Sequence, residues 1–412
     1  MNQKTILLTL TKKRKFTLKV EGTSMLPILR PDDVLSLEKT TFAQIRENDV
    51  ALIIKGKQPM IHRVIYKTKN YLVTRGDHRM VSDGRIKPTQ VYAKVVGVKR
   101  GTLQFRLEDY YLIQSSRYFK EIAALCNTFV THNIDFVILK GLPLHLYFEG
   151  AHPRRIFADF DVLVAPSHYS QAHRILTKLR YESVDTAYSS THKKLKNKLT
   201  SLSYHKHTAD FPIVVDLHME PVFLFNQLGR LNALYPQNLL DQMTHDFLRD
   251  KQWITLENHR FPILDPAHLF VYLCLHFFHH NFRGMYRLNL IDIVWRKFHN
   301  QKNFTKSVSN AIASYRVGNF LFPVFSMLKS YLQTPIPIQM LSLKPSYNLV
   351  QHYTQKRLIN IPIFDDQDRL RSGINRFLNL LILSPQSIPK KLTLIFDPAV
   401  WYSIVWSMRK LL

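Results

Sequence analysis

The chain has 412 residues, 46% hydrophobic and 12% aromatic, which argues against a disordered polymer and suggests two or three domains. Two cysteines, Cys126 and Cys274, are too few for a disulfide framework and point to a reducing, cytoplasmic setting. A formal charge of +27 favours phosphate-bearing or acidic partners, among them nucleotides, nucleic acid and an anionic membrane surface; a Lys-rich proteome would explain it equally well, and no RNP, zinc-finger or helix-turn-helix pattern accompanies it.

In chain order, the first apolar run, "ILLTLT", is broken by Thr and followed by a basic stretch. That order is wrong for a signal peptide, and the run is too short to span a bilayer. Residues 16–100 then hold "DVLSLEK", "DVALIIKG", "MIHRVIYK", "NYLVTRG" and "VYAKVVGVKR", short β-branched runs bounded by Gly, Asn, Asp or Pro. Such spacing predicts a compact all-β barrel or folded sheet. Residues 1–100 also carry 21 Lys+Arg against 8 Asp+Glu, which is +13.

Residues 101–107 read as a joint, after which "EDYYLIQSSRYFKEIAALCNTFVTHN" has apolar residues at three- and four-residue spacing and predicts a helix. Strand and helix patterns then alternate: "DFVILKG", "LPLHLYFEG", "FADFDVLVAP", "HYSQAHRILTKLRYE" and, after a polar stretch at 184–208, "FPIVVDLHME". This is the pattern of an α/β or α+β sheet domain. From "DPAHLFVYLCLHFFHH" onward the period is helical, with Asp265 as N-cap and Pro266 in the first turn. The C-terminal "LTLIFDPAVWYSIVWSMRKLL" is interrupted by Asp397 and Pro398 and reads as a packed or surface-lying helix, which makes the chain soluble or membrane-peripheral. The expected architecture is multidomain α+β: a β domain over 1–104, an α/β domain over 105–262 and a helical region over 263–412.

In the β domain, Ser24 sits in the turn-prone "EGTSMLPILRPDD", His62 within the strand "MIHRVIYK", and Asp77 and Asp83 in "TRGDHRMVSDG". A serine becomes a nucleophile when a base takes its proton and a third group orients that base. Singly, each of these residues has an ordinary structural explanation. Together, "GTSMLPIL", "IRENDVALI", "IHRVI" and "TRGDHRMVSDG" resemble, in order, the boxes of the S24/S26 signal-peptidase-like family, in its Ser–His branch, over roughly residues 18–100. The resemblance implies Ser24 as nucleophile, His62 as general base and Asp83 as its orienting acid, with Asp77 holding the Gly-Asp turn or sharing that role. Two departures stand out: members of this branch carry a transmembrane anchor, and His78 follows the Gly-Asp pair where a small residue or Asn is usual.

In the α/β domain, Asp159 and Asp161 alternate with apolar residues on one strand and therefore face the same way. Two such carboxylates need a positive charge between them, supplied by Mg²⁺ with substrate phosphates or by ion pairs to Arg154 and Arg155. Asp216, near the end of "PIVVDLH", is a third acid for a metal cluster or for taking a hydroxyl proton. "FVILKGLPLHLY", "ADFDVLV" and "VVDLH" in this order resemble the nucleotidyltransferase superfamily, in its poorly characterised "LKG…DxD…DLH" branch, over about residues 108–300. The resemblance implies Asp159, Asp161 and Asp216 as a Mg²⁺-binding triad, an NTP substrate, Lys140 as a phosphate contact and Gly141 as the point of backbone approach. Leu142 stands where many relatives have serine. In "HFFHH", His276 and His280 share a helix face without the Glu of "H-E-x-x-H", so they read as core or capping residues, or as lining a nucleotide cleft with Arg287 and Asp292.

The function expected is nucleotidyl transfer from an NTP to an unknown acceptor, with a fused serine peptidase suited to peptide maturation. The alternative is a catalytically inactive binding or regulatory protein using both folds to hold nucleotide, nucleic acid or peptide.

Overall fold

Short β-branched runs punctuated by turns build the first of two sheets. The computed structural model describes residues 13–157, 159–183, 200–207, 212–221, 232–341, 352–358, 360–397 and 400–401. The run "ILLTLT", most of the polar stretch at 184–208 and the last eleven residues of the C-terminal apolar stretch lie outside them.

The first sheet contains β1 (Lys15–Lys19), β2 (Val34–Lys39), β3 (Val50–Lys55), β4 (Gln58–Lys67), β5 (Leu72–Arg75), β6 (Arg85–Ile86), β7 (Val91–Arg100) and β8 (Leu103–Phe105). Its order is β1-β2-β7-β3-β4-β5-β6, with β8 on β7. In β3 the successive side chains serve two cores: Val50, Leu52 and Ile54 pack with Leu35 and Leu37, while Ala51 and Ile53 pack with Val64 and Ile86. That explains a continuous apolar run where a one-sided strand would alternate. Strands β6 and β8, of two and three residues, are too short to announce themselves in the sequence, and β1 places only Phe16 and Leu18 as apolar residues among lysines and a threonine.

After β8 the chain enters α1 (Leu107–Thr131), which buries the stripe Leu107, Tyr111, Gln114, Tyr118, Ile122, Leu125 and Phe129. The second sheet is built from β9 (Phe136–Lys140), β10 (Asp159–Val164), β11 (Glu182–Ser183), β12 (Ser201–Lys206), β13 (Ile213–His218), β14 (Gln252–Leu256) and β15 (His259–Ile263), in the order β11-β12-β13-β10-β9-β15-β14. Helices α2 (Leu142–Glu149), α3 (Tyr169–Lys178) and α4 (Gln237–Arg249) intervene. The β14–β15 hairpin is absent from the sequence reading. Its turn uses Glu257 and Asn258, both at positive φ, without the glycine that usually marks such a turn.

Among the described residues, seven α-helices follow: α5 (Pro266–His279), α6 (Met285–Phe298), α7 (Phe304–Ser314), α8 (Gly318–Leu332), α9 (Ile338–Leu341), α10 (Arg369–Leu383) and α11 (Ile388–Leu392). The Asp265 carboxylate caps α5, accepting from the Ala267 and His268 N–H groups. Residues 269–278 of α5 are all buried, against α6, α7 and α8 among others, which is why this helix is apolar all round. One core runs through the second sheet and these helices and takes in Tyr66 and Val73 from β4 and β5. The fold is thus mixed α/β, with two sheets and many helices. Among the described residues no helix is long and apolar enough to cross a membrane.

Candidate functional site

Strand register assembles the first cluster. Asp161 on β10 lies opposite Asp216 on β13 and opposite Lys140 on β9, and Ser203 on β12 lies opposite Asp216. Neighbouring strands are about 4.8 Å apart, so four residues remote in sequence form one row across the sheet. Asp159 and His218, two positions along their strands, share that face.

The Lys140 ammonium lies 2.5 Å from a carboxylate oxygen of Asp159 and 2.5 Å from one of Asp161. His218 Nε2 lies 3.0 Å from Asp161 Oδ1, and the Ser203 hydroxyl donates to Asp216 Oδ1. Asp161 and His218 are buried, at 4% and 3% exposure, while Asp159 stands at the open end of the row. Burial pushes the Asp161 carboxyl up, but Lys140 and His218 outweigh it and hold it below the usual range. Burial and then the neighbouring Asp161 raise Asp216 instead. Lys140, although desolvated, is held protonated by Asp161 and Asp159. Adjacent carboxylates pushed apart in proton affinity are a mark of functional sites.

The positive charge between the paired aspartates is therefore Lys140. The arginines weighed for that task point elsewhere: Arg154 pairs with Asp49 and Glu108, and Arg155 reaches His145 Nε2 at 3.1 Å. Asp161, Asp216 and His218 each offer a ligand atom within 4.8 Å of the others. With Nε2–H donating to Asp161, His218 keeps a lone pair on Nδ1, which is buried and without a hydrogen-bond partner. Two carboxylates and an imidazole fit a divalent cation. His218 escaped the sequence reading, although its place two residues after Asp216 on a strand was a usable signal. Ser203, inside a polar stretch, gave none.

Gly141 sits at φ +124°, and a Cβ there would approach Phe160 Cδ2 to 3.1 Å, so both conformation and packing against β10 require glycine. On the helical side, His276 Nε2 lies 3.2 Å from His280 Nε2. Burial first, then Lys140 and Arg287 for His276 and chiefly Arg287 for His280, keep both imidazoles neutral. Asp292 is engaged by Arg296 and Thr334.

A second cluster forms in the first sheet. His62 Nε2 lies 3.0 Å from Ser24 Oγ, and His62 Nδ1 lies 2.7 Å from Asp83 Oδ2. The Thr74 hydroxyl donates to the same Asp83 oxygen at 2.7 Å, and the Asp83 N–H donates to the Thr74 carbonyl at 2.8 Å. The β5–β6 loop also grips the serine, since the His78 N–H donates to the Ser24 carbonyl at 2.8 Å. Asp77 takes no part in orienting His62. Its carboxylate is forked onto Arg63, at 2.7 and 2.6 Å, and Arg63 in turn donates to Tyr111 Oη and the Arg154 carbonyl.

The sequence pattern of the uncharacterised nucleotidyltransferases matches residues 106–333. Among solved structures, an antigenic nucleotidyltransferase-like protein from Paracoccidioides brasiliensis is similar at 14% identity and a TM-score of 0.32, over 54% of this chain and 95% of its own. No curated protein matches the chain.

Proposed function

The chain belongs to the uncharacterised nucleotidyltransferase family, and from that premise we propose that it transfers a nucleoside monophosphate from an NTP to an acceptor hydroxyl, with a divalent cation. In this reaction the acceptor oxygen bonds to the α-phosphorus, the α–β phosphoanhydride bond breaks, pyrophosphate leaves and the acceptor's proton passes to water. Asp161, Asp216 and His218 would hold the cation, with Asp159 at the entrance to the row; the observation that carries this reading is their convergence within 4.8 Å. Bound there, Mg²⁺ or Mn²⁺ would neutralise phosphate charge and orient the α-phosphate. Lys140, which now bridges Asp159 and Asp161, would be freed to meet the phosphates, and the side-chain-free Gly141 would let backbone approach them.

The test is incubation with each α-³²P NTP and Mg²⁺ or Mn²⁺, beside Asp161→Asn, His218→Ala and the double variant Asp159→Ala/Asp161→Ala. Label should move to an acceptor in an added extract or to the protein itself, and fall at least a hundredfold in each variant. The absence of both transfer and NTP binding in the wild type would exclude the reading and leave a binding protein.

A second activity is favoured by the Ser24–His62–Asp83 geometry: hydrolysis of a peptide bond. Ser24 Oγ would attack the carbonyl as its proton passes to His62 Nε2. His62 would return that proton to the leaving amine, and water would release the acyl group. A peptide trimmed here is a natural candidate for the transferase acceptor. An active-site-directed fluorophosphonate should label wild type at Ser24 but not Ser24→Ala or His62→Ala; equal labelling of Ser24→Ala would overturn the assignment.

A further inference from the structure

Beside the acid row stand two guanidinium groups that carry charge without a carboxylate partner among the described residues. Arg155, between α2 and β10, lies 4.4 Å from the Tyr286 ring centroid and 4.9 Å from that of Phe157, and its polar contact is His145 Nε2. Arg287, in the first turn of α6, lies 4.5 Å from the same Tyr286 ring. It donates to the Arg283 carbonyl at 3.1 Å, and its Nε is buried with no partner. Sharing one ring, the two charges are at most about 9 Å apart, inside the ~10 Å Debye length of 0.1 M salt. Burial makes the Arg155 proton easier to lose than in water; Tyr286 and Glu149 oppose that effect, and the Arg287 charge adds to it.

The start of α6 adds a second, independent feature. Its N-cap is Gly284, at φ +95°, which offers no side-chain acceptor to the first-turn N–H groups. A Cβ at this position would run into Arg287 Nη1, so the glycine keeps open the space into which the guanidinium folds back. A cation over the positive end of a fourteen-residue helix is unfavourable by itself. Both features are satisfied at once by an anion bound there. His276 and His280, which feel the Arg287 charge, stay neutral and supply no counter-charge.

We propose that Arg155, Arg287 and the first turn of α6 form a clamp for the polyphosphate tail of a nucleotide, next to the acid row that would hold its α-phosphate. That the anion is a nucleotide tail rests on the nucleotidyl-transfer reading; that the site binds a polyphosphate does not.

Isothermal titration of the full chain with inorganic tripolyphosphate, pyrophosphate and orthophosphate in EDTA tests the clamp apart from any cation. Wild type should bind tripolyphosphate most tightly and orthophosphate least. Arg155→Gln and Arg287→Gln should each weaken tripolyphosphate at least tenfold, with the exposed Arg249→Gln, at the far end of α4, unchanged. Should a glutamine variant not fold, Arg287→Lys keeps the charge without the forked donors and should still weaken binding severalfold. A wild type that ignores tripolyphosphate, or arginine variants that bind it undiminished, would overturn the clamp. Tripolyphosphate binding that depends on the arginines in a chain that transfers no nucleotide would leave the clamp standing and remove the transferase. Undiminished transfer by the arginine variants would do the reverse.

Discussion

Gly76 has no room for a side chain, because a Cβ there would stand 2.5 Å from the Ser24 carbonyl oxygen. That carbonyl also accepts the His78 N–H, so the turn after β5 holds the nucleophile candidate by its backbone. Gly76→Ala must therefore move Ser24 or the turn. It should cost about 1–3 kcal/mol in a urea melt, the usual range for overpacking, and abolish fluorophosphonate labelling while the protein stays folded. Labelling at the wild-type rate would mean that Ser24 tolerates displacement and that the contact is only structural. Of the residues singled out from the sequence, Asp77 shows how chemistry and position diverge: it lies six residues from Asp83, but its partner is Arg63 rather than His62.

At the scale of elements, α5 joins the deep core to the acid row. Its last turn carries His276 and its C-cap is His280, and burial depresses the proton affinity of both well below the ordinary histidine value of 6.5. In the unfolded chain these imidazoles take up protons as pH falls through 6.5, whereas in the folded protein they resist. Stability is therefore full above that pH and is lost progressively below it. Melting temperatures measured from pH 8 to pH 5 should show this fall, and His276→Gln/His280→Gln should flatten it between pH 6.5 and 5. An identical pH profile in the double variant would show that other groups govern the acid limb. The helix itself was legible beforehand, because its Asp-Pro start and its apolar run are local signals. The β14–β15 hairpin was not, because Glu257-Asn258 is a weak turn signal whose conformation the surrounding sheet stabilises.

Across the whole molecule, the segment after residue 360 ties the first sheet to the turn between α5 and α6. Ser82, beside Asp83, donates its N–H and hydroxyl to Asp365 Oδ1 at 2.9 and 2.8 Å. Arg75 at the end of β5 pairs with Asp366 at 2.8 Å, and the Tyr66 ring lies 5.1 Å from that of Phe364. From the other side, Arg283 donates to the Pro362 and Asp365 carbonyls, and Gly284 N–H donates to Ile363. With Tyr66 and Val73 already inside the larger core, the two sheets should melt in one calorimetric transition. Asp365→Ala should lower that melting point by several degrees and speed proteolysis of the loop at residues 76–84. Two resolved transitions in the wild type would show that the contacts do not couple the sheets.

The sequence by itself determined what local patterns can carry: short β runs before residue 100, the change to helical period near 108, the cap of α5, and acids alternating on a strand. It also contained the order of motifs that resembles a nucleotidyltransferase, and the family match over residues 106–333 supports that assignment. Only the tertiary structure decided who meets whom. Ser203, Asp216, Asp161 and Lys140 become neighbours through pairing among four strands, and a one-residue slip would turn a strand's side chains to the opposite face. The ion pair to the aspartates could equally have come from Arg154 or Arg155 until β9 brought Lys140 alongside. A net charge of +27 likewise said nothing of where cations lack partners. That is set by burial and distance, and in this fold it sets Arg155 and Arg287 against the same tyrosine ring.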